Sequence, residues 1–569
     1  MKADRKVKRV GYFFVTAVLF LFLQFPAANL FSAFAASAAA PSSAVCYEVF
    51  VYSFYDSNDD GIGDLKGLTL SLDHINDADR YSDSDLDCDM LWLMPVFPSP
   101  TYHKYDVTDY TSIDPSYGSS EDFDQLIALC HERNIRVILD LPLNHTSSQH
   151  PWFREAADYL RSLPPGQTPS PEECPYFSYY HFSDTPSDGY VPLEGTSWYY
   201  EARFWSEMPD LNLDTPSVRS EIKALTSFWI GKGVDGFRLD AVTSYYTDDE
   251  QANISFLTWL CDMVRSEDPD AYLVGEAWTS VQTYARYYTS GIDSLFDFSF
   301  AGPEGVIAGV ARGIAPASRY GQRLMEEEAL FASYSSSALN APFYTNHDMA
   351  RSAGYFTRDD GSRVKLAQAL NLLMPGRAFL YYGEELGMKG SGKDENKRAP
   401  MYWSEDANSP GMCFGPPEMD EIKMKFPSLQ EQEDDPYSIL SYVKEAIRMR
   451  RDHPLIAAGR TRMIDALSDK QICTLLRYAD GFDPALLVIN TSPESQIIDL
   501  SAGGEETQGF TQLSAQLHTA QSPAFLMTSP EGDSSCTDPQ VRLTLPPFGI
   551  ALLTQSAAGR TTDSLCILD

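Results

Sequence analysis

Three carboxylates carry the chemistry this sequence can perform: Asp240 in GFRLDA (236–241), Glu276 in GEAW (275–278) and Asp348 in FYTNHD (343–348). Arg238 stands two residues before Asp240, His347 directly precedes Asp348, and His145 ends the segment DLPLNH (140–145). Alternation in an extended strand puts Arg238 and Asp240 on one face, where a guanidinium favours the ionised carboxylate. Glu276 lies between Gly275 and Ala277 and is followed by Trp278. That less polar setting suits a carboxyl kept protonated as a general acid. A retaining glycosidase needs both: an ionised carboxylate to attack and a protonated carboxyl to donate, with surroundings that push their pKa values apart. An acidic chain puts single carboxylates at loop starts by chance. Chance is a poor account of three beside two histidines and an arginine.

Residues so far apart in sequence meet only if strands deliver them to one end of a sheet. Eight apolar runs do so: CYEVFVYSFY (46–55), DMLWLMPVFP (89–98), IRVILDLPLNH (135–145), VDGFRLDAV (234–242), AYLVGEAW (271–278), SLFDFSF (294–300), APFYTNHD (341–348) and RAFLYYGEEL (377–386). Continuous apolar runs mark parallel strands buried on both faces. Amphipathic segments between them, such as SEDFDQLIALCHERN (120–134) and SEIKALTSFWIGKG (220–233), imply helical crossovers. The pattern predicts an α/β fold, a (β/α)8 TIM barrel over 46–145 and 208–454, with its chemistry at the C-terminal strand ends. The irregular, aromatic-rich stretch after the third strand is too long for a bare loop and predicts an inserted subdomain, 146–207. Its Trp198, Tyr199, Tyr200 and Trp205 either line a cleft or, for most of them, fill the subdomain's own core. From 455 to 569, short strands with turns predict a C-terminal antiparallel β-sandwich.

In this order, DLPLNH, GFRLDA, GEAW and FYTNHD resemble the α-amylase family of retaining glycoside hydrolases. MPDLN (208–212) places the likeness between the oligo-1,6-glucosidase and neopullulanase types. The resemblance covers 46–569. It implies Asp240 as nucleophile, Glu276 as general acid/base and Asp348 as stabiliser of the transition state. It implies that His145 and His347 bind the same sugar ring, that Arg238 orients the nucleophile, and that Tyr105 is an aromatic platform. RAPMYW (398–403) is similar to a segment of the α-glucosidase side, which implies that Arg398 works with Asp106 to hold a non-reducing sugar end. Lys104 stands where the family commonly has glycine. Ala241, after the nucleophile, leans toward α-1,4 linkages. Thr243 and Ser244 replace the lysine and histidine of many α-amylases, leaving their usual interdomain calcium site without its histidine. The implied activity is hydrolysis of α-1,4 bonds in starch-derived oligosaccharides. Transglycosylation shares its covalent intermediate, and a non-catalytic binding subunit is disfavoured because all three carboxylates are present.

DSNDDGIGDL (56–65) spaces Asp56, Asn58, Asp60, the Ile62 carbonyl and Asp64 as oxygen ligands of a hard cation are spaced. Position 12 of an EF-hand count is Gly67, so no EF-hand is completed. The other reading is a turn kept for its Asx geometry and glycines. Relatives of the oligo-1,6-glucosidase type carry a D-x-N-x-D-G-x-G-D calcium loop after the first barrel strand, so the resemblance implies a structural Ca2+ here.

Lys2, Arg5, Lys6, Lys8 and Arg9, an apolar run from Gly11 to Phe25, and Ala33-Phe34-Ala35 form a signal-peptide pattern over 1–35, with 36–45 as spacer. Export, to the periplasm or beyond, is expected. A membrane anchor through the same segment is the alternative, and Cys46 is a candidate for lipid attachment although Val45 precedes it. Nine cysteines include no C-x-x-C pair. A net charge of −37 argues against nucleic acid or anionic membrane as partner. It is compatible with a neutral α-glucan or maltooligosaccharide; no protein partner is expected.

Overall fold

The computed structural model describes residues 45–164, 166–357, 360–520, 522–528 and 541–555. The signal-peptide pattern and all of the spacer except Val45 lie outside them. The chain enters the barrel at β1 (Val45–Val49) and continues through β2 (Met90–Leu93) and β3 (Arg136–Leu141). A small sheet follows, of β4 (Phe182–Ser183), β5 (Tyr190–Pro192) and β6 (Tyr199–Glu201). The barrel resumes with β7 (Gly236–Leu239), β8 (Tyr272–Gly275), β9 (Ser294–Phe296), β10 (Leu339–Ala341) and β11 (Ala378–Tyr381). Its eight strands run parallel in the order β10-β9-β8-β7-β3-β2-β1-β11, and a parallel bridge between Phe343 and Phe379 links the two ends. This is the predicted TIM barrel.

Register decides which side chains converge. Arg238 lies opposite Asp140 on one side and Val274 on the other, and Glu48 lies between Trp92 and Tyr381. The barrel interior is filled by Cys46, Met90, Trp92, Ile138, Val274, Phe296 and Phe379. Cys46 is therefore a core residue of β1 with no exposed surface, so lipid attachment there is not compatible with this fold. The seven described cysteines are buried and unpaired.

Local sequence explains the crossovers. The helix Ser120–Glu132 starts from a capping box in which Ser119 and Asp122 satisfy each other's backbone N–H, and it buries Phe123, Leu126, Ile127 and Cys130 on one face. Pro216 starts the helix Pro216–Gly231 four residues before the sequence pattern does, because proline fits the first turn, where its missing N–H costs nothing.

Between β3 and β7, the helix Pro151–Ser162 packs Phe153 against Tyr180, Phe182 and Tyr200. Antiparallel bridges His145–Asp210 and Tyr180–Leu211 tie this insertion to the barrel. After the barrel, β12 (Arg460–Met463), β13 (Ile472–Tyr478), β14 (Ala485–Asn490), β16 (Phe510–Leu517) and β19 (Ile550–Gln555) form a five-stranded antiparallel sheet. A second sheet holds β15 (Gln496–Asp499), β17 (Phe525–Thr528) and β18 (Val541–Leu545). Ile464, Leu486, Val488, Ile498, Leu543 and Leu553 form the core they share, the predicted C-terminal sheet domain. No helix among the described residues is long and apolar enough to cross a membrane.

Candidate active site

Arg238 is the hub of the site. Its guanidinium is almost wholly buried and reaches three carboxylates: Nη1 donates to Asp140 Oδ1 at 2.8 Å and to Asp240 Oδ1 at 2.6 Å, and Nη2 to Glu276 Oε2 at 2.5 Å. The sequence reading gave Arg238 to Asp240 alone; the structure shares it with Glu276. Asp240 directly follows β7 and Glu276 directly follows β8. The two strand ends are clamped by Glu276 N–H to Leu239 O and Val242 N–H to Glu276 O, both 2.9 Å. Ala241, between nucleophile candidate and clamp, has a φ of +42°, a region few side chains tolerate. Burial pushes the Glu276 carboxyl up; Arg238 opposes this, while Asp240 and Asp348 add to it, and the result is about 7. Burial likewise lifts Asp140 to about 6 against the pull of Arg238.

His347 and Asp348 come from the loop after β10, which ends at Ala341, earlier than the motif itself. His347 Nδ1 lies 2.6 Å from Glu48 Oε1, and its Nε2 lies 2.8 Å from the Tyr105 hydroxyl and 3.2 Å from Asp348 Oδ2. The Tyr105 ring stacks on His347 at 5.6 Å, and its hydroxyl donates to Asp140 Oδ2 at 2.8 Å. Burial disfavours the charged imidazole, yet Asp348 and Glu48 raise its pKa to about 9. Burial would raise Asp348, but His347 and then Arg398 hold it well below the carboxylate range.

Of these groups, Tyr105, Asp240, Glu276 and Asp348 line a cavity of about 430 Å³, together with His103, His145, Phe204, Trp278, Asp394 and Arg398. Both His145 ring nitrogens are buried without a protein partner, and burial lowers its pKa. Such nitrogens call for a ligand's hydroxyls. Arg398 Nη2 donates to Asp348 Oδ1 at 2.9 Å, and Nη1 meets Asp394 and, at 3.2 Å, the Tyr102 hydroxyl.

The predicted Arg398–Asp106 pair does not form. Asp106 is fully buried and accepts from Ser99 Oγ at 2.6 Å and from Thr101 Oγ1. Tyr102 meets Arg398 instead, while Asp106 turns inward; Lys104, between them, has a φ of +68°. Its own ammonium is buried against Asp114 at 2.6 Å. The left-handed φ is one that favours glycine, the residue the family commonly has at this position.

A family model for the alpha amylase catalytic domain matches residues 48–459. The chain belongs to the α-amylase family. It is thus a retaining glycoside hydrolase by class, in a family whose members act on α-glucosidic bonds. Among solved structures, Eubacterium rectale Amy13B is 46% identical with a TM-score of 0.84, covering 91% of this chain and 96% of its own. Alpha-amylase 3 of Dictyoglomus thermophilum is 39% identical over 426 residues, 74% of this chain and 80% of that protein. The trehalose synthase/amylase TreS of Mycobacterium tuberculosis is 31% identical over 543 residues, 84% of this chain and 87% of that one.

Sequence reasoning missed several members of this α-amylase-family site. Asp140 and Glu48 had a signal, a lone acid inside an apolar strand. Tyr102, Asp394 and Phe204 had none. Of the insertion's aromatics, Tyr200 is buried and Trp198 packs on the core, while Trp205 is exposed; the ring that lines the cavity is Phe204, 5.4 Å from His145. Beside the site, Asn144 Nδ2 donates to Asp210 Oδ1 at 2.9 Å.

In the loop after β1, Asp56 accepts the N–H groups of Asn58, Asp59 and Gly61, Asn58 that of Asp60, and Asp60 that of Ile62. Asp64 accepts from Ser57 N–H, Ser57 Oγ and Gly67 N–H, the last as N-cap of the helix Leu65–Leu70. The Asx geometry is therefore present. Asp56 and Asp64 are only 4% and 5% exposed, but their oxygens are taken by these donors, and no three His, Cys, Asp or Glu side chains among the described residues are gathered as metal ligands, so a cation here would require the loop to rearrange. Gly61, at a φ of +90°, is obligatory, because a Cβ there would sit 2.0 Å from the Phe414 ring.

Proposed function

We propose that this enzyme hydrolyses α-1,4-glucosidic bonds near the ends of starch-derived oligosaccharides by double displacement. The observation that carries the reading is a single buried guanidinium joining Asp240 to Glu276, whose carboxyl burial lifts to about 7. Asp240 attacks the anomeric carbon, forming a glycosyl ester, while Glu276 gives its proton to the departing oxygen. Water, deprotonated by Glu276, then breaks the ester with net retention. Asp348, kept ionised by His347 and Arg398, stabilises the positive charge that develops on the ring. His145, His347 and Arg398 take ring hydroxyls, and Tyr105 lies under the ring.

The lean to α-1,4 bonds rests on Ala241. Action near chain ends rests on Tyr102, Asp394 and Arg398, which close the cavity beside Asp348 in place of the Asp106 pairing. A second reading, transfer to a sugar acceptor, is favoured by the likeness to the trehalose synthase/amylase. Products from maltoheptaose decide. Glucose with maltohexaose, or maltose with maltopentaose, as the first products supports hydrolysis from an end. Maltotriose with maltotetraose among the first products means internal cleavage. Products longer than seven units mean transfer. Cleavage of isomaltose in preference to maltose would overturn the linkage.

Two accompanying proposals are export through the N-terminal segment and one structural Ca2+ held by Asp56, Asn58, Asp60, the Ile62 carbonyl and Asp64. The cation would balance two buried carboxylates and stiffen the turn after β1.

A further inference from the structure

Hydrogen-bond bookkeeping around His347 leads beyond the three carboxylates. The Tyr105 hydroxyl spends its hydrogen on Asp140, so it presents only a lone pair to His347 Nε2. Asp348 Oδ2, the other neighbour of Nε2, is an acceptor too. Nε2 must therefore carry a hydrogen. Nδ1 faces a carboxylate, that of Glu48, at 2.6 Å. Glu48 and His347 are each 1% exposed, and Trp92 closes the ring edge-on at 5.7 Å. The ring thus has acceptors at Nε2 and the Glu48 carboxyl at Nδ1; burial raises the Glu48 pKa, and His347 and Arg238 oppose that rise.

We propose that Glu48, in β1, is the positioning residue that keeps His347 doubly protonated, so that a fixed imidazolium faces Asp348 and the sugar. The inference takes the roles of Asp348 and Glu276 from the reading above. It adds a residue that touches no substrate and acts through His347.

The surrounding charges make the need plain. Around the ring stand Glu48 from β1, Asp140 from β3, Asp348 beside it and Glu276 after β8, with Arg238 from β7 and Arg398 from the loop after β11. Asp240 shares Arg238 and Asp394 shares Arg398, so two guanidiniums face six carboxyl groups and a further positive charge is favoured. A neutral imidazole would leave Asp348 with less to hold it ionised, and the charge that stabilises the transition state would weaken. The rise of the His347 pKa to about 9, driven by Asp348 and Glu48 against burial, agrees with this arrangement.

The discriminating variant is E48Q, which keeps an oxygen for Nδ1–H and removes only the charge. In wild type, the alkaline limb of kcat/KM reflects loss of one proton, from Glu276. In E48Q, His347 should release its proton lower down. As the His347 pKa falls from about 9 toward the 7 of Glu276, the limb should steepen from loss of one proton toward loss of two, while kcat/KM at pH 5 stays within about threefold of wild type. A purely structural Glu48 would lower the melting temperature and leave the profile's shape unchanged, which would overturn the proposal. A second measurement needs neither the variant nor activity. The full chain labelled with 15N-histidine, with the His347 ring signals assigned by their loss in H347N, should show both His347 nitrogens protonated at pH 7.5. A neutral ring there overturns the proposal whatever the substrate proves to be. If the ring is charged but α-glucans are not cleaved, the assigned function fails and the Glu48–His347 pair stands.

Discussion

Replacing Glu276 by glutamine should stabilise the protein at alkaline pH while disabling it. The carboxyl is 7% exposed and its pKa is lifted from 4.5 to about 7, by burial first and then by Asp240 and Asp348, against Arg238. Between those two pH values the folded protein keeps a proton that the unfolded chain has released, so stability falls as pH rises. The loss is complete above pH 7 and amounts to about 3 kcal/mol. Glutamine cannot ionise and escapes it, while its carbonyl oxygen still accepts from Arg238. The assay is denaturant unfolding of wild type and E276Q at pH 4 and pH 8, reading the difference between the two proteins so that all other titrations cancel. E276Q should gain about 3 kcal/mol on wild type between pH 4 and pH 8. A difference that does not change with pH would mean that Arg238 fully offsets burial. The acid would then be ionised at neutral pH, and the assignment of proton donor would lose its physical basis. The kinetic counterpart is that E276Q should be very slow on polysaccharide yet lose far less on a substrate with a good leaving group.

Arg398→Ala leaves Asp394 and Asp348 without their shared cation; kcat/KM on maltotriose should fall at least tenfold more than on long chains, and equal losses would place Arg398 outside the sugar site. Ala241→Val forces a β-branched residue to a φ of +42°; it should cost about 1–3 kcal/mol and lower kcat, whereas Ala241→Gly should leave the melting temperature unchanged or higher. Chelation should lower the melting temperature, because a cation that binds only the folded state stabilises it by mass action; Asp60→Ala should mimic chelation, and added calcium should not restore it. A wild-type melting temperature that ignores chelator, with metal removal confirmed by elemental analysis, would reject the loop as a cation site.

The barrel was legible because its strands are buried on both faces and read as continuous apolar runs. The catalytic set was legible because those runs end in charged residues. The sharpest error, the Asp106–Arg398 pair, was carried over from the resemblance, and spacing alone could not test it: which side chain reaches Arg398 is set by the path of the loop, and here it is Tyr102. The insertion's aromatics were ambiguous for a related reason: a ring that fills a small core and a ring that floors a cleft have the same composition, and only packing separates Tyr200 from Phe204.

Asp140 and Glu48 were legible in principle. An acid inside an apolar strand is costly to bury unless it is paired, so its presence in RVILDL or VCYEV requires a cation across the barrel. For Asp140 that cation is Arg238 at 2.8 Å, and for Glu48 it is His347 at 2.6 Å. These two pairs join through the Tyr105 hydroxyl, which touches both Asp140 and His347. The nucleophile's guanidinium and the histidine beside Asp348 therefore belong to one hydrogen-bonded chain, from Glu48 to Glu276. Charge removed at either end should be felt along it, which is why Glu48→Gln and Glu276→Gln together should not add: a double-mutant cycle on denaturant unfolding at pH 8 should give a coupling well above the few tenths of a kcal/mol of independent sites.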